Sequence, residues 1–288
     1  MPSRHRKFSR GKILVAAAAL VAAGTAAVAL PQADAAGSDE AARAITGTAW
    51  AVDAQTGQTV VTADSTVQGG QWDRLMAATR GKPIRVERTP GVLTLFADGG
   101  DAIFTGRARC SLGFNVTTND GSPGFLTAGH CAAAGRQWST AQGGRPAATV
   151  QQATFPGAGD FSLLTYNDAA TEAPSVVDVR GGRTVKITQA AAAKVNQQVL
   201  RMGSTTGLHQ GRVTALKATV NYPEGRVTGL IQTTVCAEGG DSGGPLFTRD
   251  GSAIGLTSGG SGDCRTGGVT FFQPVTVALA AVGARIGG

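Results

Sequence analysis

The heptapeptide Gly239-Gly240-Asp241-Ser242-Gly243-Gly244-Pro245 sets one serine hydroxyl among glycines. A hydroxyl is a weak nucleophile at neutral pH, so attack on an acyl carbon needs an adjacent base and an exposed Oγ. The glycines let the backbone turn tightly and leave N–H groups free to face a developing oxyanion, where each donor is worth about 2.7–4 kcal/mol. A single Gly-x-Ser is an ordinary surface turn; the whole heptapeptide is far more specific. Candidates for the base are few, because the chain has 3 His and only His130 and His209 lie beyond residue 96. His130 ends the stretch Leu126-Thr127-Ala128-Gly129-His130 and is followed by Cys131. A strand ending in small residues presents an imidazole at a rim, and a disulfide at Cys131 would fix that backbone. His209, in Thr205-Thr206-Gly207-Leu208-His209, reads as a surface-loop residue. Asp160 stands between a turn and an apolar run in Gly157-Ala158-Gly159-Asp160-Phe161-Ser162-Leu163-Leu164. A turn aspartate is ordinary by composition. A buried carboxylate there, however, holds an imidazole in the right tautomer and stabilises its cation.

These residues need a frame to position them. From about residue 97 the texture is all-β, with short Val/Ile/Thr/Phe runs at 110–117, 125–128, 186–188, 211–222 and 253–257, separated by Gly, Pro, Asn and Ser. Many short strands with such turns predict a sandwich or barrel. Residues 274–286 carry Val275, Val277, Leu279, Val282 and Ile286 and predict a C-terminal helix; 189–193 reads as a helical turn or a linker. Residues 37–96 differ. Two short strands at 46–52 and 58–62, then helical spacing of Trp72, Leu75 and Met76 in 71–79, predict a small α+β unit without cysteine.

The formal charge of +7 is uneven: residues 1–36 contribute +4, 37–96 contribute 0 and 97–288 contribute +3. A nucleic-acid reading thus loses most of its basis. The 42 Gly show no G-X-Y period, which excludes collagen, and 42% apolar residues argue against disorder. The basic tip at Arg4, Arg6, Lys7, Arg10 and Lys12 precedes an uncharged, Ala-rich run at 13–30, Pro31 and Ala33-Asp34-Ala35-Ala36. That is the pattern of a signal peptide over 1–36, cut after Ala35 or Ala36, rather than a retained anchor. The expected product is secreted, extracellular and free of the membrane. Export in turn suggests disulfides among Cys110, Cys131, Cys236 and Cys264. Three pairings are open. Loop length favours Cys110–Cys131 with Cys236–Cys264, each adding about 3 kcal/mol in the chain-entropy model. The spacing does not suit zinc, and neither a metal nor another cofactor is expected.

The order His…Asp…Ser is that of the chymotrypsin scheme, not of the subtilisin or α/β-hydrolase schemes. Arg109-Cys110-Ser111-Leu112-Gly113-Phe114-Asn115-Val116, Thr127-Ala128-Gly129-His130-Cys131, Gly203-Ser204-Thr205-Thr206-Gly207, Ala218-Thr219-Val220-Asn221-Tyr222, Cys236-Ala237-Glu238, Gly240-Asp241-Ser242-Gly243-Gly244 and Gly255-Leu256-Thr257-Ser258-Gly259-Gly260-Ser261-Gly262 resemble the streptogrisins, secreted bacterial serine proteases of the chymotrypsin superfamily. The resemblance covers residues 97–288. It implies two six-stranded antiparallel β-barrels, about 97–185 and 186–288, with the site in the cleft between them. It also implies a His130–Asp160–Ser242 triad, an oxyanion hole from the Gly240 and Ser242 N–H groups, and the disulfide pairing favoured above. Asp241 would pair with Arg201. Residues 37–96 resemble, more loosely, the family's pro-segment, a folding aid and temporary inhibitor removed by a cut at Phe96–Ala97.

The resemblance also places a specificity pocket at Ala237, Glu238, Gly239, Thr257, Ser258, Gly259 and Gly260. Glutamate-specific relatives carry His where this chain has Thr257 and Ser where it has Gly260. The wall without charge suits Phe, Tyr, Leu or Met at the cleaved position. Relatives often have Pro where Gly239 stands. The implied function is a secreted endopeptidase acting on proteins or peptides as a monomer. The rivals are the same triad with an acidic or ester preference, and a non-catalytic binding module, which would usually have lost a triad member.

Overall fold

The structure, a computed structural model, describes residues 40–89, 94–95, 101–180 and 183–286. The signal cut expected at Ala35 or Ala36 and the junction expected at Phe96–Ala97 lie outside the described residues. Among the described residues no helix is long and apolar enough to cross a membrane.

The N-terminal unit is α+β. Thr48–Val52 pairs antiparallel with Thr59–Ala63, the helix Gly69–Thr79 follows, and Ile84–Arg88 returns parallel to Thr59–Ala63. Trp50, Val61, Ala63, Val67 and Leu75 build a small core of its own, with Trp72 packed against it. Leu75 and Thr79, four residues apart, are the buried side of the helix. Met76, expected on the apolar face, lies at the surface.

From residue 101 the chain forms two antiparallel barrels. The first uses Asp101–Thr105, Ala108–Leu112 running on into Phe114–Thr118, Pro123–Thr127, Gln137–Trp138, Ala148–Thr154 and Phe161–Tyr166, with Asp101–Thr105 paired to Ala108–Leu112 and bridged through Phe104 to Ser139. The second uses Gln198–Gly203, Gly207–Tyr222, Gly225–Thr233, Pro245–Phe247, Ser252–Asp263 and Gly267–Pro274. The run expected at 110–117 is interrupted at Gly113. A Cβ there would lie 2.4 Å from Leu256 Cδ2 and 2.6 Å from the Gly243 carbonyl oxygen, so only glycine lets the barrels meet at this point. Between the barrels, Phe114, Leu126, Phe161 and Leu163 pack with Leu200, Met202, Phe247 and Leu256.

The helix Val275–Val282 closes that core through Val275, Ala278 and Leu279 and ends at Gly283 with φ +63°, a left-handed cap. The chain then crosses back, and Ala284–Arg285 pairs with Thr117–Thr118 of the first barrel. Residues 189–193 form no helical turn. Gln189–Ala190 adds a short parallel strand to Ser252–Ala253, because four alanines are too few to nucleate a helix and the sheet offers backbone partners.

The N-terminal unit extends the second barrel's sheet. Ala49 and Trp50 pair with Val220 and Thr219, which places Thr48–Val52 beside the long strand Gly207–Tyr222. Asn221 fastens the join: its side-chain amide donates to the Arg43 carbonyl at 2.7 Å and to Thr48 Oγ1 at 3.1 Å.

Candidate active site

Three segments converge where the barrels meet. Thr127 ends a strand, and Gly129–Ala132 makes a single helical turn that carries His130. Gly129 is obligatory, because a Cβ would sit 2.1 Å from the Thr154 carbonyl oxygen. Asp160 lies just before the strand Phe161–Tyr166, which pairs with the strand leading to His130 through Ser162 and Thr127. That pairing is the structural reason a turn aspartate reaches the imidazole.

Asp160 is fully buried and accepts three side-chain or backbone donors. His130 Nδ1 lies 2.9 Å from Oδ2, the His130 backbone N–H donates to Oδ1 at 2.9 Å, and Ser258 Oγ donates to Oδ2 at 2.6 Å. These donors offset the cost of burying a carboxylate. The Asp160 backbone N–H donates to Gln273 Oε1 at 2.8 Å, and Tyr222 Oη stands 3.4 Å from Ser258 Oγ. Sequence assigned Tyr222 no role beyond its place in the Ala218–Tyr222 motif and did not point to Gln273, although a glutamine in the apolar run Phe271-Phe272-Gln273-Pro274 was a readable signal. Burial pushes the Tyr222 hydroxyl well above its ordinary pKa, so it stays a neutral group in this network.

Ser242 is held beside the histidine segment. Its carbonyl accepts from the Ser111 N–H at 2.8 Å, and Gly243, at φ +79°, has room for no Cβ, which would meet Thr127 Oγ1 at 2.0 Å. Ser242 Oγ is buried and has no hydrogen-bond partner among the described residues. Among the same residues neither the Gly240 nor the Ser242 N–H has a backbone acceptor, and Gly240 adopts φ +116°. The structure thus brings His130 onto Asp160 directly and sets Ser242 against the same strand end without a closed hydrogen bond.

The expected pocket residues separate by role. Ala237 and Thr257 are buried, and Thr257 Oγ1 donates to the Gly244 carbonyl at 3.0 Å. Ser258 turns its hydroxyl to Asp160, so its contribution to a pocket wall is backbone. Glu238 Oε1 accepts from the Cys264 N–H at 2.9 Å, which engages its carboxylate. Gly239 is exposed, with open space where a Cβ would stand. Gly259 and Gly260 pair with Leu95 and Thr94, so the last described residues before position 96 lie as an added strand along this wall.

Both disulfides form as loop length favoured, Cys110–Cys131 and Cys236–Cys264. The sulfurs beside His130 and beside His209 are therefore consumed in bonds, leaving no thiolate for a metal. His209 accompanies Thr206, with Nε2 3.1 Å from its carbonyl oxygen, and takes no part in the Asp160 cluster.

Asp241 and Arg201 form an ion pair, Nη1 to Oδ2 at 3.1 Å, with both side chains at 0% exposure. Arg201 also donates to the Cys236 carbonyl at 2.8 Å and to Thr206 Oγ1 at 2.6 Å, while Asp241 accepts from Thr206 Oγ1 and the Glu238 N–H. Burial pushes the guanidinium below its ordinary pKa, and Asp241 and Glu238 pull it back up. Removing one partner leaves a buried charge unmatched. Arg201→Ala is expected to lower unfolding free energy by about 3–5 kcal/mol, read from chemical denaturation; an unchanged midpoint and slope would contradict the pairing.

Comparison with known proteins places this geometry. The family profile described as Trypsin matches residues 99–282, and that described as Alpha-lytic protease prodomain matches residues 14–83. Streptogrisin-D of Streptomyces griseus is 53% identical over 246 residues, 84% of this chain; the chain spans 62% of that relative's length. Among solved structures, a serine protease described as glutamic acid-specific, with a histidine triad in substrate binding, superposes with a TM-score of 0.62 at 41% identity, covering 65% of this chain and 98% of its own. A chymotrypsin of Cellulomonas bogoriensis superposes with a TM-score of 0.57 at 46% identity, covering 66% and 97%.

Proposed function

The chain belongs to the trypsin family, with an alpha-lytic protease prodomain ahead of the protease unit, and on that premise we propose that it is a secreted serine endopeptidase made as a prepro-enzyme. Residues 1–36 direct export, 37–96 form the pro-segment and 97–288 the mature enzyme. Ser242 Oγ attacks the scissile carbonyl while His130 Nε2 takes its proton. Asp160 holds Nδ1–H and stabilises the imidazolium. The Gly240 and Ser242 N–H groups receive the oxyanion. The imidazolium then protonates the departing amine, leaving an acyl-enzyme. Water, activated by the same imidazole, releases the acid and restores Ser242.

The observation that carries this reading is the strand at 94–95. Thr94 lies opposite Gly260 and Leu95 opposite Gly259, so the chain just before position 96 runs as an added strand along the expected pocket wall. Such edge pairing is the way an extended peptide adds to a sheet. It supports a cut at Phe96–Ala97, an apolar or aromatic preference, and a pro-segment that occupies the cleft until removed. Thr89 Oγ1, 2.8 Å from Ser261 Oγ, and the strand Thr48–Val52 anchor the segment to the second barrel. This also suits a folding aid, because strand pairings between distant parts of the chain form slowly.

An acidic preference is disfavoured by the residues present. The glutamic acid-specific neighbour is described as using a histidine triad in substrate binding. Here only His130 and His209 lie beyond residue 96, and His130 is engaged by Asp160. The test is cleavage of two chromogenic peptides, ending in Phe and in Glu, by enzyme matured from the full precursor. Cleavage after Phe should exceed that after Glu by about 100-fold or more, since burying an unpaired carboxylate costs several kcal/mol. Preferential cleavage after Glu would keep the mechanism and overturn the pocket assignment.

A further inference from the structure

We infer that Arg109, supported by Arg180 across Ser204, forms a cationic subsite that selects an acidic side chain at the second residue after the cleaved bond. This deepens the proteolytic reading above and rests on it. The strand at 94–95 gives a direction for a bound peptide: residues before the cut pair with Gly259–Gly260, and a peptide continuing in that direction would carry those after it past Ser242, away from this strand. Several contacts place Ala108–Leu112 on that departing side. The Ser111 N–H binds the Ser242 carbonyl at 2.8 Å, and Cys110 Sγ, Cys131 Sγ and a ring nitrogen of His130 lie within 4.8 Å of one another. Arg109 precedes this disulfide directly.

Its guanidinium reaches the second barrel, where Nη2 donates to Ser204 Oγ. Arg180 Nη2 donates to the carbonyl of the same residue at 2.7 Å. Ser204 follows Gly203, which packs against Asp241, so both guanidinia converge beside the nucleophile's segment. Arg180 is electrostatically shared with Asp101, and its N–H binds Asp178. Arg109 differs: among the described residues no carboxylate pairs with it, and its Nε is buried without a hydrogen-bond partner. A half-buried cation without a carboxylate partner is left unmatched, and an incoming carboxylate would supply the counter-charge at its terminal nitrogens. The chain's own junction has the matching sequence, since the second residue after Phe96 is Asp98.

The test uses mature enzyme and internally quenched peptides with Phe at the cleaved position and Asp, Asn or Lys two residues beyond the cut. At low salt kcat/KM is expected to favour Asp over Lys by about tenfold, as for one partly screened charge pair. The ratio should fall toward one near 1 M salt, where the Debye length is about 3 Å. In Arg109→Gln the Asp-to-Lys ratio should collapse at low salt, and in Arg109→Lys it should be partly kept. Wild-type enzyme that cleaves the Asn peptide yet shows no salt-sensitive Asp preference overturns the subsite and leaves the proteolytic reading standing. An undiminished ratio in Arg109→Gln overturns the assignment to Arg109. Failure to cleave any of the three peptides overturns the proteolytic reading and the subsite with it.

Discussion

Ser242→Ala is expected to lower kcat/KM by about 10⁵–10⁶-fold and to leave residues 37–96 attached to the exported protein. The methyl group cannot form the acyl bond, and nothing beside it can substitute. His130 is bound to Asp160 and the neighbouring hydroxyls are committed elsewhere, Thr257 to the Gly244 carbonyl and Ser258 to Asp160. Binding and the oxyanion donors would sustain only the residual rate. Ser242 Oγ has no hydrogen-bond partner among the described residues, so its loss strands no polar group and the fold should persist. Peptide turnover and N-terminal sequencing of secreted protein read the two effects separately. Trimming identical to wild type would show that another protease removes the pro-segment. Retained turnover would remove Ser242 from the mechanism.

Asp160→Asn should cost about 10⁴-fold in kcat with little loss of structure. Both carboxylate oxygens now accept: Oδ1 takes the His130 N–H, and Oδ2 takes Nδ1–H and the Ser258 hydroxyl. An amide presents one acceptor and one donor. If its oxygen keeps the backbone N–H, its NH₂ faces Nδ1 and selects the tautomer whose proton sits on Nε2, where a base must be vacant. The imidazolium formed during acyl transfer also loses its counter-charge. Circular dichroism and melting of the purified variant should match wild type closely, separating tautomer from fold. A loss smaller than about tenfold would contradict the orienting role.

The candidate site was legible because local backbone demands accompany it. Gly243 must be glycine for both its φ and its contact with Thr127, and Gly129 for its contact with the Thr154 carbonyl, so the sequence around each reactive residue is constrained and readable. The C-terminal helix was legible from 3.6-residue spacing, and the disulfides from loop length. What escaped was partner choice between distant segments. Ser258 was placed in a pocket wall, yet its hydroxyl serves Asp160, 98 residues away. Gln273 binds the Asp160 N–H across 113 residues, and no local pattern encodes that pairing. The addition of Thr48–Val52 to the second barrel's sheet is likewise a property of two edges meeting. Residues 189–193, read as a helical turn or a linker, form no helix, because pairing of Gln189 and Ala190 with the sheet overrides alanine's helix propensity.

The proposed mechanism stands or falls on Ser242 as the nucleophile of a triad with His130 and Asp160. A phosphonylating serine reagent, applied to mature enzyme and followed by peptide mass mapping, tests it most directly. One equivalent should bind, on Ser242, with peptide cleavage lost in proportion, and Asp160→Asn should not be labelled at a comparable rate. Full activity after complete treatment, or a label on any other residue with activity lost, would contradict it.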